Sequence, residues 1–473
     1  MTDLAEFSAA ELLEGYAAGS FTPVDATEAA LSRIEAQNAE LNAFVLVDRE
    51  SALDSAEASA ARWKSGQTLG PGDGVPTSIK DMFITSGWPT LRGSTLIDDA
   101  GPWDADAPCV ARLRDTGAVL LGKVSTPEFA WKGTTDSERF GATGNPWDPA
   151  MTAGGSSGGS SAAVGAGMGP WSVGTDAGGS VRIPAAFTGT VALKPTFGLV
   201  PMFPASPFGT LAHAGPMTRT VTDAAMLMDI ITGFDSRDWA ALPTPTTSFT
   251  DGLDQGVEGL RIAFSPTLGF GENDPEVERL VREAVDVLAD QGAIVEEVDP
   301  GFADPVEPFH VLWFTGAAKV VAAYGPQALA KVDPGLRAGI ERYADASAQD
   351  YLDATAVRME LGVLMGAFHQ KYDLLVTPTM PITAFDRNRQ APEGWKSDLW
   401  TSWTPYTYPF NMTQQPAASV PCGVASDGLP VGLQFVAART QDRLVLRASR
   451  AYEQAAGEQF VRPVTVPAAQ GAG

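Results

Sequence analysis

The sequence predicts an α/β fold, on three observations. Short apolar runs of strand length alternate with helical patterns along most of the chain, as at residues 107–115 followed by 117–123. The same alternation returns at 274–288 followed by 293–298. With 473 residues, 44% of them hydrophobic, the chain is long and apolar enough to bury a sizeable core.

Taken in order, Ser8-Ala9-Ala10-Glu11 is a capping box ahead of Leu12, Leu13 and Tyr16 on one helical face. Thr22-Pro23-Val24-Asp25 starts a second helix, with proline in its first turn. Residues 42–47 read as a strand and 49–63 as an alanine-rich amphipathic helix. Residues 1–65 are thus expected to be a largely helical wrapper, since no linker follows them. Val75, Thr77 and Ile79 then alternate with Pro76, Ser78 and Lys80, the pattern of a short strand that ends on a lysine. An isolated lysine is ordinarily a solvated surface group, so Lys80 gains meaning only from its neighbours in space.

Residues 161–169 are small and apolar and suit a short, tightly packed helix. Strands follow at 171–175 and 191–195, with a helical turn at 183–187 between them and a helix at 221–231 after them. The Pro/Thr/Asp/Gly-rich stretch 235–259 reads as an irregular surface crossing. Beyond it lie a strand at 261–264, a helix capped by Asp274-Pro275, a strand at 293–298 and helices over most of 308–372, with Ser347 as an N-cap. A strand at 373–378 runs into a long loop carrying Trp395, Trp400, Trp403, Tyr406 and Tyr408. Those rings either line a cavity or staple the loop to the core. A strand at 431–436 and a helix at 442–454 close the fold, and the tail after Pro467 is expected to be loose. The whole reads as one domain over 1–473, with the chemistry in 70–235 and the remaining sheet, helices and pocket loop in 260–465.

Composition excludes several function classes. The formal net charge of −25, from 57 acidic and 32 basic residues, argues against nucleic acid or an anionic membrane as partner. Two cysteines, Cys109 and Cys422, cannot build a disulfide framework. Three histidines without ligand spacing give no metal site, and none stands ready as the base of a Ser-His-Asp triad. Gly154 to Gly158 does match Gly-x-Ser-x-Gly, but no apolar strand leads into it. The first residues lack the basic and apolar parts of a signal peptide and no run has transmembrane length, so a cytoplasmic soluble protein is expected.

The informative stretch is 152–196. It holds Gly154-Gly155-Ser156-Ser157-Gly158-Gly159-Ser160 and then Gly174-Thr175-Asp176-Ala177-Gly178-Gly179-Ser180. Alone, the first cluster would be a flexible linker. The residues after it are apolar and helix-compatible, however, and the second cluster lies between strands. Glycine-rich backbone of this kind can turn several N–H groups toward one point beside a serine, as an oxyanion hole requires. A serine nucleophile needs a base, and with no suitable histidine the available one is a lysine made neutral by burial. Lys80 is that candidate, with a second serine carrying the proton between it and the nucleophile.

Both clusters, together with Val75-Pro76-Thr77-Ser78-Ile79-Lys80-Asp81 upstream, resemble the amidase signature family. Leu193-Lys194-Pro195-Thr196, the segment from Gly215 to Val221 and Leu429-Pro430-Val431-Gly432-Leu433-Gln434 extend the resemblance over nearly the whole chain. It implies a single α/β/α domain with a mixed central β-sheet. It also implies Ser180 as acyl nucleophile, Lys80 as terminal base, and Ser156 as bridging serine beside a cis peptide. The N–H groups of Ala177, Gly178, Gly179 and Ser180 would form the oxyanion hole, with Asp176 and Arg182 bracing the loop and Ser157 as a possible helper. Where many relatives have glycine, this chain has Gln414-Gln415, a change expected to reshape the acyl pocket together with Met202, Phe203, Phe208, Leu211 and Trp400.

The expected function is cofactor-independent hydrolysis of a small-molecule amide, carbamate (urethane included) or ester through an acyl-enzyme, with no metal, by a monomer or homodimer. Two alternatives are the glutaminase-type amidase subunit of a tRNA-dependent amidotransferase and a non-catalytic binding protein on the same scaffold.

Overall fold

A computed structural model describes residues 3–206 and 208–461; the tail expected to be loose lies outside them. In chain order the strands are β1 (Phe44–Val47), β2 (Pro76–Lys80), β3 (Val119–Val124), the short pair β4 (Asp136–Ser137) and β5 (Gly141–Ala142), β6 (Trp171–Asp176) and β7 (Val191–Lys194). The second half adds β8 (His213–Thr218), β9 (Arg261–Phe264), β10 (Ile294–Glu297), β11 (Leu374–Pro378), β12 (Ala417–Val424) and β13 (Pro430–Ala437). All but β4 and β5 form one sheet in the order β1-β3-β2-β6-β8-β7-β12-β13-β11-β9-β10. Neighbours are parallel within β3-β2-β6 and within β11-β9-β10. The other pairs are antiparallel, so the sheet is mixed.

Helices cover the sheet because their apolar stripes need burial. Pro275–Asp290 turns Val277, Val281, Ala284 and Leu288 inward and packs on β11, β12 and β13. At the start of the chain, Ala9–Ala18 carries the expected capping box, with Ser8 accepting from the Glu11 N–H and Glu11 accepting from that of Ser8. The buried carboxylate of Asp223 accepts from the Ala9 and Ala10 N–H groups at 2.8 and 3.2 Å. It thereby ties this helix to Val221–Ile231, on whose first turn Asp223 sits.

Besides the short pair β4 and β5, two strands of the large sheet escape the sequence reading. β8 is spelled His-Ala-Gly-Pro-Met-Thr and β12 Ala-Ala-Ser-Val-Pro-Cys-Gly-Val, and glycine and proline are both depleted in strands. Tertiary pairing overrides that propensity. Gly215 is needed there, since a Cβ would stand 2.0 Å from the Leu193 carbonyl oxygen. The small-residue helix also begins earlier than its apolar pattern, at Gly158–Gly165, because Gly158 and Gly159 press against Thr135 and Ser125.

The fold places the site through β2 and β6. They are parallel neighbours with Ser78 opposite Ser172 and Ile79 opposite Val173, so Lys80 and Asp176 end adjacent strands on the same side. Ligands of α/β sheets bind beyond such carboxyl ends.

Candidate active site

Lys80 is fully buried, and its Nζ lies 2.7 Å from Ser156 Oγ, 2.8 Å from Ser157 Oγ and 2.8 Å from Thr175 Oγ1. β2 delivers the lysine, β6 delivers Thr175, and the two serines stand just before Gly158–Gly165. Burial drives the Lys80 pKa well below its ordinary value, and the negative charge of Asp176 opposes this only in part. A neutral amine at this position offers two N–H donors and one lone pair to three hydroxyl partners.

The partners differ in what they can offer. Ser157 donates its hydroxyl proton to the Thr175 carbonyl at 3.1 Å and accepts from the Thr175 N–H at 3.3 Å, so its proton is already committed. Ser156 faces the other way: it lines the same cavity as Ser180, whereas Ser157 does not line it. The Gly155–Ser156 peptide is cis. The two serine clusters are locked together by the Ser157 N–H, which donates to the Ser180 carbonyl at 3.1 Å.

Ser180 sits in the turn between β6 and the helix Arg182–Thr188. Asp176 organises this turn. Its two carboxylate oxygens accept from Arg182 Nη2 and Nε, each at 3.0 Å. Burial alone would raise the Asp176 pKa, but the charge and hydrogen bonds of Arg182 outweigh it and hold the carboxyl below the usual carboxylate range. Arg182 in turn donates to the Thr407 carbonyl, Gln434 and Asn411 at 2.7 to 2.9 Å, so both charges are fully engaged in holding the loop.

The oxyanion-loop expectation needs one correction. The Gly179 N–H donates to Asp176 Oδ1 at 2.7 Å and is therefore turned away from a substrate. Among the described residues, the N–H groups of Ala177, Gly178 and Ser180 have no such acceptor. Gly179 instead supplies backbone shape, at φ 132°, where a Cβ would also meet Thr407 Oγ1 at 2.4 Å.

Ser180, Ser156, Thr175 and Ala177 open on a cavity of about 100 Å³. Its wall is mostly apolar, with Met82, Phe83, Phe129, Phe208 and Trp313 prominent, and Met202 and Phe203 line it as anticipated. Leu211, Trp400, Gln414 and Gln415 do not line it. Trp400 packs behind the oxyanion loop, where a Cβ on Gly178 would meet its ring at 2.5 Å, and edge-on to Trp313 at 5.4 Å between centroids. Gln414 and Gln415 border a separate groove with Arg358 and Met412. The aromatic loop is a staple: Trp403 stacks on Phe187, Tyr408 stacks on Phe309, and Tyr406 donates to Asn273 at 2.7 Å.

Thr175, Arg92 and Trp313 were not singled out from the sequence. Thr175 carries no signal in its strand pattern, since the register that pairs Ile79 with Val173 puts Thr175 on the face of Ile79 and not on that of Lys80. Trp313 lies on Val306–Ala322 and carries none, because a helical aromatic reads as core. His213 lies buried on β8 and does not line this cavity. Burial pushes its pKa far down, and its Nδ1 is 2.8 Å from the Leu211 carbonyl oxygen. Among the described residues no cluster of three or more His, Cys, Asp or Glu is arranged to hold a metal ion. No helix among them is long and apolar enough to cross a membrane.

Fold and site together give an α/β protein in which a buried lysine is held among serines beside one cavity. The family model described as Amidase matches residues 25–446, and the chain belongs to that family. It is 37% identical over 453 residues to an acylamidase of Rhodococcus erythropolis, covering 94% of each chain. It is also 35% identical over 494 residues to a glutamyl-tRNA(Gln) amidotransferase subunit of Chloroflexus aggregans, covering 98% of this chain and 99% of that one. The solved structure of a bacterial aryl acylamidase of the amidase signature enzymes superposes with a TM-score of 0.90 at 32% identity, over 98% of this chain and 99% of that one. The protein is an amidohydrolase acting on carbon–nitrogen bonds.

Proposed function

We propose that Ser180 is the acyl nucleophile of a small-molecule amidase, with Ser156 and Lys80 as its proton relay. The observation that carries this reading is the fully buried Lys80, its pKa pushed down by burial and its Nζ held 2.7 Å from Ser156, which shares the cavity with Ser180. Two of the three hydroxyl partners can take the Lys80 N–H groups, Ser157 and Thr175, which leaves the lone pair for the Ser156 proton. Ser180 then passes its proton to Ser156 as it attacks the amide carbon. No direct hydrogen bond joins Ser180 to Ser156 here, so a side-chain rotation closes that contact when substrate binds. The charge that develops on the carbonyl oxygen meets the free N–H groups of Ala177, Gly178 and Ser180. Reversal of the relay protonates the leaving amine, and water releases the acid by the same path.

The apolar cavity suits aryl or aliphatic acyl amides, and the same acyl-enzyme route accommodates carbamates and esters. Glutamine is a poorer fit, because no carboxylate on the described cavity wall stands to pair with its α-ammonium. The proposed relay uses side chains of this one chain, so a monomer or homodimer without a cofactor suffices for it. Replacement of Ser180 or Lys80 by alanine should cut turnover of an anilide substrate by at least about a thousandfold while the melting curve stays cooperative. Turnover retained by either variant refutes the assignment.

A further inference from the structure

Arg92 is the one charged side chain on the described wall of the Ser180 cavity. Its guanidinium has no ion pair among the described residues, and its Nε is buried without an acceptor. The nearby carboxylate of Asp81 is already spoken for. It lies 3.5 Å from Lys123 Nζ and accepts from the Leu91 N–H at 3.2 Å. Nothing on the described cavity wall offers a negative charge.

The arginine is also held in place by its backbone. Arg92 has φ 52°, in the left-handed region that non-glycine residues rarely adopt, and its carbonyl accepts from the Phe129 N–H at 2.8 Å. Next to it Gly93 approaches so closely that a Cβ would stand 2.6 Å from the Thr126 carbonyl oxygen. Phe129 and Ala130, across this contact, are left-handed too, at φ 50° and 59°, and both line the cavity. Such conformations persist only where the surrounding structure enforces them, and they concentrate at ligand sites.

A half-buried guanidinium on an apolar cavity wall, with its Nε unpartnered and no counter-charge, gains from an anion that reaches it. Its planar fork of donors matches a carboxylate. We propose that Arg92 determines specificity by binding a carboxylate carried by the substrate away from the scissile amide. The inference rests on the reading of Ser180 as nucleophile and names the substrate class: amides bearing one carboxylate and no ammonium group, which Arg92 would repel.

Two matched pairs test it and tell which half of the substrate carries the anion. Acetanilide against para-acetamidobenzoate places the carboxylate on the leaving amine, and butyranilide against N-phenylsuccinamate places it on the acyl group. The wild-type enzyme should show a higher kcat/KM for the carboxylated member of one pair. In Arg92→Met that preference should shrink by about 10- to 100-fold, and Arg92→Lys should keep part of it. Should Arg92→Met fail to fold by thermal melting, Arg92→Gln serves in its place. Absence of a preference in both pairs, or its survival in Arg92→Met, overturns the proposal. Calorimetric binding of para-acetamidobenzoate and N-phenylsuccinamate to Ser180→Ala needs no turnover and separates the two readings. Carboxylate binding that Arg92→Met abolishes in that background sustains the arginine's role even if no amide is cleaved. Binding indifferent to Arg92 refutes it even if Ser180 proves to be the nucleophile.

Discussion

At the residue scale the proposed chemistry rests on Lys80 and its three hydroxyl neighbours. Thr175 is the partner with the most distinctive consequence, because it is the N–H acceptor that points the amine's lone pair toward Ser156. Thr175→Val keeps the shape and deletes the acceptor. It should lower kcat roughly 10- to 100-fold with little change in KM, and Thr175→Ser should restore most of the loss. An equal drop in both variants would mean the threonine only fills space. The acid limb of the pH–rate profile should move as well, since the competent form of Lys80 is the neutral one. Activity should rise with pH through a pKa far below that of an ordinary lysine and then level off. Folding stability takes the same sign. The unfolded lysine holds its proton up to about pH 10.4, so the unfolded state binds more protons, and stability gains from Lys80 as pH climbs between the folded and unfolded values.

At the scale of elements, burial and pairing decide what the chain's local preferences leave open. Asp223 joins Ala9–Ala18 to Val221–Ile231 by accepting two helix N-terminal N–H groups from a fully buried position. Asp223→Ala should cost about 1–3 kcal/mol in denaturant unfolding, because those donors lose their acceptor inside the protein. A loss within about 0.5 kcal/mol would show that the junction is held by packing alone. The same scale explains which elements could be read from sequence. Helix starts announced themselves through the capping box at Ser8, the Thr22-Pro23 pair and the N-cap Ser347, and the structure adds capping boxes at the last two. β8 and β12 did not announce themselves, since Gly215, Pro216 and Pro421 speak against a strand and only the neighbouring strands make one.

For the whole molecule, the sheet brings Lys80, Thr175 and two loop serines together from positions up to 95 residues apart in the chain. The meeting of Lys80 with the serines was legible because glycine clusters and a strand-end lysine are rare enough to be read jointly, whereas the part of Thr175 was not. The cavity wall was not. Gln414 and Gln415 stood out as a departure in sequence, yet the side of the loop they face depends on how Arg358 and the Met412 carbonyl anchor that segment. Arg92 and Trp313 reach the cavity through a tight turn and a helix that carry no local signature of binding. The most direct measurement of the central claim is the site of covalent attack by a fluorophosphonate, mapped by peptide mass spectrometry across a pH series. A single adduct on Ser180 is expected, formed faster as pH rises through the lowered Lys80 pKa and nearly abolished in Lys80→Ala. An adduct on Ser156, Ser157 or another residue, or labelling of Ser180 that Lys80→Ala leaves intact, would contradict it.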